Sequence, residues 1–281
     1  MFKGYFTVLL AFFSGLIGAN EISNDSDLDQ IKLAQAAPEI ILQADEPLDF
    51  KEKIQELGIT LHPGTDYRSD STPSRSLEKN CHSLVYQTLK KFPQNWVDQL
   101  DNLTLYYSNQ GRRGLGGGNT IILRCKNVDN EELVAVLVHE MAHIVDTGVI
   151  DGTKEAGESN FRDGSKPVYN NDKSLYFYRI SFIDDKTVKS EATELDFVSG
   201  YAMTDPFEDF AESFTYYIIH GDKFRKLIKK NEALEKKYYY LKNRIFNGKE
   251  FYEISDNSVL DLYREYDTTA LKYNLEYFLA F

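Results

Sequence analysis

The chemistry of this chain is concentrated in one short run, His139-Glu140-Met141-Ala142-His143. On a helix, positions four apart lie about 40° round and about 6 Å along from one another. Both imidazoles therefore leave the same face and can share one metal ion. Zinc accepts neutral histidine nitrogen at tetrahedral sites, and two ligands from one rigid helix lower the entropic cost of assembling it. Glu140 follows the first histidine and falls beside the metal's open position, where a carboxylate can take a proton from zinc-activated water. The chemistry these residues suit is hydrolysis.

A catalytic zinc needs a third protein ligand. A third histidine six residues past His143 is absent, since that position holds Val149. Glu155, Glu158 and Asp163 lie in a stretch that reads as loop, and Cys125 lies upstream. Asp146, one helical turn beyond His143, is placed to orient a ligand rather than to bind the ion. A stronger source is Ser199-Gly-Tyr201-Ala-Met-Thr-Asp205-Pro206-Phe-Glu208-Asp-Phe-Ala-Glu212-Ser-Phe214. Glu208 and Glu212 are four apart at the start of a helix, so both can face the same way. Glu208 also stands three residues after Asp205, the spacing of a capping box, and can serve merely as a cap. Chemistry alone leaves Glu208 and Glu212 as rivals.

The elements around these residues are partly readable. Asp129, with Glu132 three residues on, starts a helix that is apolar all round from Leu133 to Val138 and hence buried. Leu84 to Phe92 reads as helix. Leu103–Tyr107 and Asn119–Leu123 read as strands, joined through a turn at GRRGLGGG. No Lys-Ser/Thr follows those glycines, so a phosphate loop is rejected. Asn119, Thr120 and Ile121 are candidates for an edge strand along which an extended peptide adds by main-chain hydrogen bonding. Residues 151–172 read as loop, Leu175–Ile183 as strand, and Asp205 to His220 as helix with Pro206 in its first turn. A long helix is expected over 222–246, its nine Lys and Arg residues mostly on a solvated face.

Composition sets the wider frame. The 281 residues carry 32 Lys and Arg against 44 Asp and Glu, a net charge of −12 that argues against a nucleic-acid partner. Lys3 followed by an uncharged apolar run to Ala19 reads as a signal peptide, too short to span a bilayer. No later segment is apolar enough for stable membrane insertion. The expected chain is therefore exported, to periplasm, cell surface or medium. In that setting Cys81 and Cys125, the two cysteines, can pair or remain buried thiols. Residues 20–60 hold ten acids against three lysines. Residues 20–76 as a whole read as an acidic, loosely ordered lead-in, and residues 77–281 as the catalytic domain.

HEMAHIVD, followed by a tyrosine and then E-D-F-A-E-S-F, resembles the metallopeptidase family of anthrax lethal factor and the secreted Pro-Pro endopeptidases. The resemblance spans roughly residues 131–217. It implies a zincin-like α+β fold, with a small mixed sheet packed on the HExxH helix and a helical C-terminal half. By the same resemblance His139, His143 and Glu208 are the ligands of one zinc ion and Glu140 is the catalytic base. Tyr201, seven residues before Glu208, is the transition-state donor. Glu212 is a partner of a ligand, and Asp146 matches an aspartate the family carries after its motif. The implied activity is a secreted zinc endopeptidase acting on extended protein or peptide substrates. A zinc hydrolase of a non-protein amide such as cell-wall peptide, and a non-catalytic zinc-containing binding module, are the alternatives.

Overall fold

The computed structural model describes residues 49–64, 72–252 and 265–280. The expected signal peptide and most of the acidic lead-in lie outside the described residues. The lead-in ends sooner than its composition suggests. Asp49 caps a short helix, α1 (Phe50–Glu56), whose Ile54 is fully buried. It leads to strand β1 (Thr60–Pro63), which pairs in parallel with β2 (Asn102–Tyr106). Acidic residues on α1 point outward while Phe50 and Ile54 turn in, so the charge count disguised an amphipathic turn. Helix α1 and strand β1 therefore pack with the rest of the described chain although they precede Leu77.

Helix α2 (Arg75–Leu89) and the single-turn α3 (Gln94–Val97) carry the chain across from β1 to β2. Strand β4 (Thr120–Arg124) lies parallel to β2, and β3 (Gly114–Gly117) pairs antiparallel with β4, giving the order β1-β2-β4-β3. Leu103, Leu105, Ile121 and Leu123 all enter the core, as the alternation of a strand dictates. Two expectations change here. The glycine run is itself a strand and not only a turn. Asn119, Thr120 and Ile121 flank or form β4, which has partners on both sides and cannot accept a peptide; among the described residues the edges of the sheet are β1 and β3, and β3 is the one beside the two-histidine helix.

Helix α4 (Asn130–Ile144) starts at Asp129, whose side chain accepts from the Glu132 amide at 2.8 Å. Its residues from Leu133 to Ala142 are buried throughout, and it packs on β3, β4 and α2. A π-helical turn, Val145–Val149, continues it. Cys81 on α2 and Cys125 after β4 are disulfide-bonded, their Cα atoms 5.8 Å apart.

Between residues 150 and 205 the chain is more ordered than a loop. It forms a hairpin of β5 (Glu158–Asp163) and β6 (Lys166–Tyr169), then α5 (Leu175–Ser181) where a strand was expected. Leu175, Phe177, Tyr178 and Ser181 are buried, and Phe177 meets Phe210 and Tyr240 edge-on at 5.3 and 5.6 Å. Tertiary burial of these rings overrides the β-propensity of the aromatic run.

Helix α6 (Pro206–Ile219) crosses α4, and is followed by α7 (Gly221–Leu227) and α8 (Glu232–Tyr240). The expected long helix is broken because Asn231 caps α8, accepting from the Leu234 amide at 2.8 Å. The chain's described end adds α9 (Leu275–Ala280). Among the described residues, no helix is long and apolar enough to cross a membrane. The described residues form a mixed α+β structure with two small sheets.

Lys237 does not sit on a solvated face. Its ammonium is fully buried, 2.7 and 2.9 Å from the two oxygens of Asp209, 2.8 Å from the Asp196 carbonyl and 4.1 Å from the Phe197 ring. Burial pushes Asp209 up to about 6 and Lys237 down, and their mutual attraction opposes both shifts. Removing one partner leaves an uncompensated buried charge. Lys237→Met should lower the unfolding free energy in urea by about 3–5 kcal/mol. Adding Asp209→Leu should restore most of that loss.

Candidate metal centre

Helix α4 supplies His139 and His143 one turn apart, and α6 brings Glu208 across to them. His139 Nε2 lies 3.0 Å from Glu208 Oε2 and 3.2 Å from His143 Nε2, and His143 Nε2 lies 3.5 Å from the same carboxylate oxygen. These three atoms form a group able to hold a metal ion. A tetrahedral zinc with bonds of about 2.0–2.1 Å has ligand–ligand edges of roughly 3.3–3.4 Å. The observed spacings bracket that value, so the donor set suits the ion in both chemistry and size.

The local folding of α6 explains why Glu208 is free to reach across. Asp205 caps the helix, its Oδ1 accepting from the Phe207 and Glu208 amides at 3.0 and 2.9 Å. Capping is thereby done by Asp205, and the Glu208 side chain turns to the histidines instead of back to the cap. Its other oxygen, Oε1, accepts from the Tyr201 hydroxyl at 3.0 Å. Burial alone would raise the Glu208 carboxyl, but the two imidazoles outweigh it and hold it far below the usual range.

Glu212, the rival, stands one turn further on and is fully buried behind the ring. Its Oε1 lies 3.0 Å from His139 Nδ1, while Oε2 accepts from Ser199 Oγ at 2.6 Å and from the Thr268 amide at 2.8 Å. A proton shared between Nδ1 and Glu212 leaves the Nε2 lone pair for a metal. Ser199 Oγ also accepts from the Ala202 amide at 3.1 Å, tying this network to the 3₁₀ turn, Tyr201–Met203, that presents Tyr201. Burial would lower both imidazoles. Hydrogen bonds to Glu208, and for His139 to Glu212, outweigh it and raise both, His139 the more.

Glu140 lies against the free edge of the sheet. Burial raises its carboxyl above the usual range, and the Gly116 amide donates to it. A Cβ on Gly116 would lie 2.7 Å from Glu140 Oε2 and 2.8 Å from the Glu140 carbonyl oxygen, and one on Gly114 would run into Oε1 and Val136. The alternate glycines are what let β3 approach the helix this closely. Nothing in the motif itself pointed to them. The usable signal was glycine at alternate positions, 114 and 116, next to a strand.

Asp146 is not joined to either imidazole by a hydrogen bond. Its buried carboxylate accepts from the Ser174 hydroxyl and, at 2.5 Å, from the Tyr178 hydroxyl. Burial pushes it up to about 7. It therefore pins α5 to the turn after His143, in place of the ligand-orienting role expected of it. Asn119 and Thr120 lie at the far side of β3, and Ile121 is buried in the core beneath it.

His139, Glu140, His143, Tyr201 and Glu208 line one cavity of about 690 Å³, walled by Gly114–Gly117 on one side and by Tyr201 and Tyr266 on the other. Tyr266 is two-thirds exposed and its ring lies 5.9 Å from that of Tyr201. Sequence reading had missed it.

A family model described as anthrax toxin lethal factor, N- and C-terminal domain, matches residues 110–244, from just ahead of β3 to the end of the helices after α6. The chain resembles the lethal factor family. The match takes in the two histidines, Glu140, Tyr201, Glu208 and Glu212 together with the β5–β6 hairpin, and covers a little under half of the chain. Neither the curated proteins nor the solved structures contain a match.

Gly116→Ala should fold but force β3 and α4 apart. It should cost about 1–3 kcal/mol of stability in urea unfolding, the usual penalty for overpacking a tight contact.

Proposed function

We propose that this chain is an exported, zinc-dependent endopeptidase with a zincin-like catalytic unit. The observation that carries this is the meeting of His139 Nε2, His143 Nε2 and Glu208 Oε2 beside a buried glutamate and an open edge strand. The lethal factor family is one of zinc metallopeptidases, and its resemblance to this chain extends over all of these residues. Export is supported by the N-terminal run from Lys3 to Ala19 and agrees with a disulfide.

His139, His143 and Glu208 would hold the zinc. When bound, it would supply Lewis acidity, polarising the scissile carbonyl and making water more acidic. The rest falls to the chain. Glu140, its basicity raised by burial, accepts the proton of the attacking water and delivers it to the leaving amine. The Tyr201 hydroxyl, now donated to Glu208, turns to the developing oxyanion, a bond stronger in the transition state than in the ground state. Burial and the nearby Glu208 charge raise this phenol, so it remains a donor throughout. The free edge of β3 offers main-chain groups to an extended peptide, the role that β4 cannot fill.

Purified full-length protein should contain one equivalent of zinc by elemental analysis and should cleave an unfolded protein until a chelator is added. Glu140→Gln should retain the metal and lose about 10²–10⁴-fold in rate. Undiminished cleavage by that variant, or a protein without zinc, would sink the proposal. Cleavage confined to peptidoglycan would shift the substrate to cell-wall peptide. Tyr201→Phe should lower kcat about 10²–10³-fold, as for loss of one oxyanion donor, with KM and zinc content little changed.

A further inference from the structure

The cavity around the candidate metal centre is uneven in charge, and most of its ionic groups already have partners. Glu140 and Glu208 belong to the centre itself. Asp205 caps α6. Arg113 is held by Glu132 at 2.7 Å, by Thr269 at 3.0 Å and by Asp267. Three lining charges remain: Arg112 and Arg124 near the start of β3, and Asp163 at the tip of the β5–β6 hairpin. The hairpin tip is at the other end, since the Lys166 ammonium lies 3.9 Å from where a Cβ of Gly118 would stand.

Arg124 is the informative one. It is only 9% exposed, yet forms no ion pair with any described carboxylate. Its Nη1 donates to the Gly111 carbonyl at 3.0 Å, and its Nε has no hydrogen-bond partner. A buried charge normally has a counter-ion, because leaving it without one costs several kcal/mol. Arg112, the neighbour of Gly111 in the loop before β3, is exposed and lines the same cavity. The chain's net charge of −12 repels anions at long range. An anion that settles here must therefore be recognised locally, by these two guanidinium groups.

We propose that Arg112 and Arg124 form a subsite for a substrate carboxylate, which makes this enzyme selective for acidic peptides. The proposal rests on the endopeptidase reading above. Gly114 abuts Glu140, and residue 112 lies two positions earlier. At about 3.3 Å per extended residue, the Arg112 backbone stands roughly 7 Å from that of Gly114. The recognised group is thus one to three residues from that bond, on the side facing the start of β3. Its source is either an Asp or Glu side chain or the peptide's own C-terminus.

The test is cleavage of a positional-scanning peptide library by the zinc-loaded full chain, each position set in turn to Asp, Asn, Lys or Ala, with free and with amidated C-termini. The expected result is that Asp on one side of the cut improves kcat/KM about tenfold or more over Asn, in both terminal forms. A preference that disappears on amidation identifies the C-terminal carboxylate as the source. Binding of the best peptide and of its Asn counterpart to Glu140→Gln, by fluorescence anisotropy, should reproduce the ratio without turnover. Arg112→Ser and Arg124→Gln should each collapse the Asp-to-Asn ratio, and Arg124→Lys should restore part of it. Arg112 is exposed, so its variant keeps the test valid if Arg124→Gln fails to fold. Cleavage with no acidic preference, or a ratio that survives Arg112→Ser, overturns the subsite alone. Absence of any cleavage overturns the endopeptidase reading and this one with it.

Discussion

The structure depends on holding one carboxylate, that of Glu208, within about van der Waals reach of two imidazoles that precede it by 65 and 69 residues. Everything near the centre follows from the crossing of α4 and α6 that achieves this. Helix geometry then assigns the acids of α6 their separate tasks. Glu208 and Glu212, one turn apart, both face α4, one to the Nε2 side of His139 and one to its Nδ1 side. Asp209, about 100° round from Glu208, faces away and takes the buried Lys237. Asp205 saturates the helix start, and so frees Glu208 from its own backbone.

This crossing collects negative charge in a dry place. Glu140, Glu208, Glu212 and Asp205 gather around two imidazoles, and the fully buried Lys237 is already matched to Asp209. Burial raises Glu140 and Asp205, while the acids together draw both histidines upward. The rise of the histidines, achieved against their burial, is the shift that marks a place where carboxylates favour added positive charge. A divalent cation meets that demand better than protons can, since it leaves the histidine nitrogens as neutral donors.

What could be read from the sequence was what local chemistry determines. The HExxH helix with its Asp129 cap, the start of α6 at Asp205-Pro206, and the two central strands are set by caps and by patterning within a few residues. What could not be read depends on distant partners. Strand β3 has the composition of a turn, because its glycines answer to Glu140 and not to their neighbours in sequence. Residues 175–181 have the composition of a strand but coil to bury their rings against α6 and α8. Lys237 looked like any surface lysine, since its partner lies 28 residues earlier. The pairing of Cys81 with Cys125 required the approach of α2 to the end of β4. The choice between Glu208 and Glu212 likewise needed a direction in space, which spacing alone does not contain.

The segment between His143 and Glu208 must itself be held in place. A segment of 64 residues between two ligands (positions 144–207) would, as free coil, work against a fixed distance between them. Asp146 removes that difficulty. Its buried carboxylate, on the first turn after His143, takes hydroxyl donors from Ser174 and Tyr178 and so brings the far side of the hairpin back onto α4. Tyr178 in turn packs edge-on to Phe207, the residue before Glu208, at 5.1 Å. The segment is thus joined near both ends to the two helices that carry the ligands. The hairpin between those two attachments brings Asp163 to the rim of the cavity, so the packing that orders the segment also brings one of its carboxylates to the site.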